Sequence, residues 1–184
     1  MESVRYQYQD GHYYIQLLGD LGFQTSSCLA RLIDWITQDE LVQGLTVDLQ
    51  QAESIDSTNL GLLSALGQMM WERRQRRQGL LPGESPRVTI TLESLGIHKF
   101  FDWTLPVDHM QSMEQFVQLP PPQAELPTSV CERAISAHQS LMSINDANRR
   151  EFAPILAALR LEIALMQPVV RHESAQAATS ECFH

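Results

Sequence analysis

Cysteine is scarce in this chain: Cys28, Cys131 and Cys182 are the only three, an odd number at wide spacing with no CxxC pair. That excludes a disulfide framework and a cysteine-based zinc site, and it points to reduced thiols in a cytoplasm. The six histidines show no HExxH and no close pairing, so neither a metal nor a cofactor is expected. No apolar run approaches the roughly 20 residues of a bilayer span, and the N-terminus lacks the basic and apolar regions of a leader. Positive charge is also short, with 22 acidic against 13 basic side chains and a net charge of -9, which opposes the wrapping of a polyanion. The local exception is Arg73, Arg74, Arg76 and Arg77, placed at the C-terminal turns of an expected helix, where cations complement the helix dipole and stay solvated. Nucleic-acid binding and membrane insertion are therefore not expected. Nor is catalysis: there is no Gly-rich phosphate loop, the flanking glycines of G-x-S-x-G are missing, and no histidine pairs recognisably with a serine.

What is present is concentrated in LTVDLQQAESIDSTNLGLLSALGQ, residues 45 to 68. An apolar run reads as a buried strand, turns at Asp56-Ser57-Thr58 and continues as an amphipathic helix. The turn sets a serine hydroxyl at a helix N-terminus, where unpaired backbone N–H groups and the positive end of the dipole favour a phosphate. Asp and Ser are equally the ordinary residues for capping a helix, and Asp56 reads as a cap or as a residue that positions Ser57. Asp48, at the end of the strand, reads as a loop anchor.

Asp56-Ser57-Thr58-Asn59-Leu60-Gly61 resembles the strand, Asp-Ser-Ser/Thr-Gly-Leu-Gly, helix signature of STAS domains, the family of the bacterial anti-sigma factor antagonists. Gly19-Asp20-Leu21 stands where that family has a Gly-Glu-Leu/Ile-Asp loop, with Gly22 in place of the closing Asp; Asn59 replaces the usual Gly of the motif. The resemblance covers about the first two thirds of the chain. It implies an α/β fold: a STAS-type mixed sheet of four to five strands backed by helices, to which a C-terminal helical hairpin is added.

The flanking segments agree with that layout. VRYQYQ and HYYIQLLG alternate as two strands, with Tyr13, Ile15 and Leu17 opposite Tyr14, Gln16 and Leu18. Thr25 to about Trp35 has helical spacing, with Thr25 or Ser26 as its cap, so a right-handed parallel crossover follows. After the motif helix, Gly79 and LPGESP read as a break and RVTITL as a further strand, followed by a short closing helix around Leu95, Phe100 and Phe101 and a last extended segment. The expected divisions are a STAS domain over 1–117, a Pro-rich linker over 118–128, a helical extension over 129–167 and a disordered tail over 168–184. In the extension, Ser129-x-x-Glu132 reads as a capping box. Cys131, Ala134, Ile135, His138, Leu141 and Met142 form one apolar stripe, and Phe152, Ile155, Leu156, Leu159, Ile163 and Met166 a second. Asn145-Asp146 reads as the turn between them, and Pro154 as a kink. Isolated helices of this length need packing. They are expected to fold back on the core, to cover the partner-binding face, or to form a homodimer surface.

The resemblance also implies a mechanism. A partner that is both anti-sigma factor and serine protein kinase would phosphorylate Ser57, with Thr58 as secondary candidate, and a separate PP2C-type phosphatase would remove the phosphate. The unphosphorylated form would bind the anti-sigma factor through Asp20, Asp56, Ser57, Thr58, Asn59 and Leu60, and so free a sigma factor in a bacterial cytoplasm. Phosphate would repel the partner by its charge, with little refolding. Two alternatives share the fold: a STAS subunit docked constitutively on a lipid-transporter ATPase, or a regulator of a biofilm or motility signalling protein.

Overall fold

The computed structural model describes residues 2–74, 78–83, 85–104, 115–122 and 124–166. Asp10 and Gly11 have φ of 50° and 80°, the positive values of a two-residue hairpin turn whose twist matches that of paired strands. They join β1 (Ser3–Gln9) to β2 (His12–Leu21), with Gln9 opposite His12 and Ser3 opposite Leu18. Alternation sorts the side chains as expected: Ile15 and Leu17 enter the core, while Gln16 lies on the opposite face and donates to Asp48.

α1 (Phe23–Gln38) carries the chain across to β3 (Gly44–Asp48), which pairs parallel with β2. Neither Thr25 nor Ser26 caps it. Gly22 occupies the N-cap, and the Thr25 and Ser26 hydroxyls donate to the Gly22 and Phe23 carbonyls instead. A tight turn leads to β4 (Ala52–Ile55), a second parallel partner of β2, and then to α2 (Ser57–Arg74). β5 (Gln78–Leu81) pairs parallel with β3 and with β6 (Phe101–Trp103), and β7 (Val117–Gln118) pairs antiparallel with β1. The mixed sheet runs β6-β5-β3-β2-β1-β7, with β4 attached to β2. It has seven strands where four to five were expected, because short strands such as β4, β5 and β7 give little sequence signal.

Two segments differ from the sequence reading. Gly79 lies inside β5, where a Cβ would come within 2.8 Å of Thr46 Oγ1, so it is a packing residue of a strand and not a break. RVTITL belongs to α3 (Pro86–Leu95), with Pro86 in its first turn and Gly96 ending it at φ 80°. Val88, Leu92 and Leu95 form its buried stripe, and Ile90, whose alternation with Val88 and Leu92 suggested a strand, is exposed. A 3-10 turn (Ile97–Phe100) follows before β6. The expected extended segment after Thr104, the tail, and Arg76 and Arg77 fall outside the described residues.

The core lies between one sheet face and the helices. Val4, Ile15, Leu17, Leu45, Val47 and Leu80 meet Leu29, Leu32 and Ile36 of α1 and Leu63, Leu66 and Met70 of α2. α2 is not amphipathic in place, since it is buried on the side away from the sheet as well, by α4 (Pro127–Ile144). α4 starts two residues before the expected capping box, with Pro127 in the first turn and Leu126 at the N-cap, so Ser129 is inside the helix. Asn145 ends α4 and its Oδ1 accepts the Asn148 N–H at 2.8 Å, starting α5 (Asp146–Met166), which continues through Pro154. The two helices form a hairpin that folds back on the rest of the chain. Before α4 the chain is strapped down: Leu119 is buried, and the Pro120 carbonyl accepts from Arg31.

Candidate functional site

The site is built where β4 turns into α2. The Asp56 N–H donates to the Leu21 carbonyl at 2.9 Å, holding the turn against the end of β2. Asp56 Oδ1 accepts the N–H of Asn59 at 2.8 Å, which satisfies one of the donors that a helix start leaves unpaired. Asp56 is thus the cap. Replacing it by Ala is expected to lower the unfolding free energy by about 1 kcal/mol, and replacing it by Asn by much less, as read by urea denaturation. Asp48 takes the Gln50 N–H at 2.9 Å and anchors the turn after β3, as expected.

Asn59, only 1% exposed, is the bolt of the turn. Its Nδ2 lies 2.9 Å from the Gly22 carbonyl oxygen, 3.0 Å from Asp56 Oδ1 and 3.3 Å from both the Leu21 carbonyl oxygen and Thr25 Oγ1. Two amide hydrogens are shared among four acceptors, from the end of β2, the start of α1 and the Asp56 cap. The Asn that departs from the motif therefore ties the start of α2 to the β2–α1 connection. Leu60, 3% exposed, joins the core. Of the six residues expected to contact a partner, these two are buried, and Asp20, Asp56, Ser57 and Thr58 are the more accessible.

Successive residues address different neighbours. Asp20, hydrogen-bonded by Ser54 Oγ, lines an open cleft of about 300 Å³ together with Asp56, Arg87 and Thr91. Ser57 instead meets α4: its Oγ lies 3.0 Å from His138 Nε2. His138 Nδ1 is 2.7 Å from the Ala134 carbonyl oxygen, which can only accept, so Nδ1 carries the hydrogen. In the neutral ring Nε2 is then an acceptor, and the serine hydroxyl donates to it. The ring, 3% exposed, packs edge-on against Phe152 at 5.4 Å between centroids. Sequence reading found no histidine partner for Ser57, because the two are 81 positions apart. The available signal was a histidine occupying an inward position of the α4 stripe.

Polar contacts hold the hairpin around this pair. Arg133 of α4 forms a bidentate pair with Glu125 at 2.6 and 2.7 Å and donates from Nε to Ser26 of α1 at 3.1 Å. Hydrogen bonding from that guanidinium, opposed in part by burial, holds the Glu125 carboxyl below its ordinary range. Gln68 of α2 donates to the Ser140 carbonyl, and buried Asn148 donates to the carbonyls of Leu95 and Leu141. At the crossing of α2 and α4 a Cβ on Gly61 would lie 2.3 Å from the Ala137 carbonyl oxygen, so only glycine permits this approach. The apolar face of α4 is spent inside the chain, while α5 keeps Leu161 and Leu165 exposed. Among the described residues no three His, Cys, Asp or Glu side chains are placed to hold a metal ion, and no helix is long and apolar enough to cross a membrane.

A family model described as the STAS domain matches residues 3–112. No curated protein matches the chain. Among solved structures, that of the anti-sigma factor antagonist SpoIIAA in its unphosphorylated form is similar at 14% identity, covering 62% of this chain and 96% of that one, with a TM-score of 0.47.

Proposed function

This chain belongs to the STAS domain family, and we propose that within it the protein is a binding regulator switched by phosphate on Ser57. Unphosphorylated, it sequesters an anti-sigma factor that also acts as its serine kinase, and a sigma factor is freed; phosphate on Ser57 blocks that binding, and a PP2C-type phosphatase restores it. The setting is a bacterial cytoplasm, and Thr58 is the secondary acceptor.

The observation that carries this reading is the placement of Ser57 directly after the cap Asp56, in the first turn of α2 and only half-buried. A phosphate there gains from the helix dipole, by about 0.3–1 kcal/mol, while Asp56 beside it opposes the added charge. A partner that docks on Asp20, Asp56 and the Ser57 hydroxyl has to present donors or cations. An extra charge of about -1.5 to -2 with three acceptor oxygens changes both the shape and the hydrogen-bonding sense of that surface.

The test is a paired pull-down with the full chain carrying Ser57→Ala or Ser57→Asp, the captured proteins being identified by mass spectrometry. An anti-sigma factor or a histidine-kinase-like ATPase is expected on the Ala bait and not on the Asp bait. The same proteins on both baits, transporter subunits in particular, would reduce Ser57 to a residue of the helix start.

A further inference from the structure

We propose that the α4–α5 hairpin is a gate over Ser57, latched by the Ser57–His138 hydrogen bond, and that a phosphate on Ser57 releases it. The inference rests on the reading of Ser57 as a phosphorylation site but not on who the partner is.

The latch depends on the serine hydrogen. His138 Nδ1 faces the Ala134 carbonyl, so in the neutral ring Nε2 has only a lone pair to offer Ser57. Phosphorylation by a nucleoside triphosphate forms the Oγ–P bond, breaks the bond between the γ-phosphorus and the β,γ-bridging oxygen so that the nucleoside diphosphate leaves, and sends the Oγ–H proton to solvent. The hydrogen that Oγ donated to Nε2 is gone, so the latch in its present form is lost.

Space works in the same direction. Ala137, next to His138, is 1% exposed, and Leu141, one turn on, is fully buried. α2 and α4 are already so close at Gly61 and Ala137 that a single added carbon has no room. Phe152 closes the far side of the imidazole. Phosphorus and three oxygens cannot enter this seam without parting the helices, and an anion held there would face Asp56 and apolar surface at the expense of its hydration. Arg133 of α4 is already engaged by Glu125 and Ser26.

The hairpin, for its part, is separable. α5 is fastened mainly to α4, and α4 to α2; Ala137, Leu141 and Phe152 join the common core, but most of that core lies between the sheet, α1 and α2 and stays in place when the hairpin lifts. The chain's own α4 is then the first reader of the phosphate, ahead of any partner. Its departure uncovers the face of α2 that Ala137 and Leu141 now cover, together with their own apolar surface.

The experiment needs no kinase. Phosphoserine is incorporated at position 57 of the full chain during translation, and hydrogen exchange followed by mass spectrometry compares it with the unmodified protein. Amides of α4 and of the first half of α5 are expected to exchange at least about tenfold faster, with β1, β2 and β3 unchanged. Unchanged or slower exchange in α4 overturns the gate. Should phosphoserine loosen the sheet as well, His138→Ala in the unphosphorylated chain tests the same latch: faster exchange confined to the hairpin supports it, and unchanged exchange overturns it. The two readings fail separately. A pull-down that discriminates Ser57→Ala from Ser57→Asp while phosphoserine leaves α4 protected defeats the gate alone, whereas a released hairpin with no discriminating capture defeats the partner switch alone.

Discussion

Asn59→Asp is expected to lower the unfolding free energy by about 3–5 kcal/mol, and the melting temperature by roughly 10 °C for a chain of this size. The change is nearly isosteric, so the loss is electrostatic. Where Nδ2 now donates, an oxygen would face the Leu21 and Gly22 carbonyls and the Asp56 carboxylate, in a site only 1% exposed. A carboxylate so placed is a buried charge without a counter-ion and sits next to one of the same sign. Asn59→Gly, which restores the residue usual at this place in the motif, removes the donors without adding charge and should cost less, about 1–3 kcal/mol. Urea denaturation of the three proteins orders them. A loss under about 1 kcal/mol for the Asp variant would mean that the turn can repack around it.

Gly61→Ala is expected to go against helix propensity. In the middle of an ordinary helix this exchange stabilises by about 0.5–1 kcal/mol, because glycine loses more backbone freedom on folding. Here the new Cβ would meet the Ala137 carbonyl oxygen at 2.3 Å and its carbon at 2.5 Å. Both are backbone atoms and cannot rotate away, so α4 must shift or lift. Forced overpacking costs about 1–3 kcal/mol, which outweighs the propensity gain. Net destabilisation is expected, with faster hydrogen exchange concentrated in α4 and α5. A stabilised protein with α4 protection intact would show that the two helices have room to spare.

The two variants lie two residues apart on α2 and report on different contacts. Asn59 fastens the start of the helix to β2 and α1, within the part of the chain that the family model spans; Gly61 fastens it to α4, beyond that span. Ser57 stands between these systems, with Asp56 lining the cleft beside Asp20 and Arg87, and His138 facing the serine.

Local pattern carried most of the framework. The β1–β2 pair, α1, the strand before the motif and α2 follow from periods of two and 3.6 residues together with turn residues, all decided within a few positions of each other. The same logic failed at RVTITL, because Val88, Ile90 and Leu92 alternate while Val88, Leu92 and Leu95 fit one helix face; a core waiting on one side, and Pro86 at the start, selected the helix. α2 was legible as a helix but not as a buried one, since the surface that covers its second face comes from α4. Asp56 as cap and Asp48 as anchor could be read from sequence because their hydrogen bonds reach only two or three residues ahead. The roles of Asn59 and His138 could not. Their partners are 34 to 38 and 81 positions away, and no periodicity records which distant side chain the folded chain will bring alongside. The identity of a serine at a helix start is written locally; whether its hydroxyl stands free or under an imidazole depends on how two helices pack, and close packing is settled by the shapes of surfaces that meet only after the chain has folded.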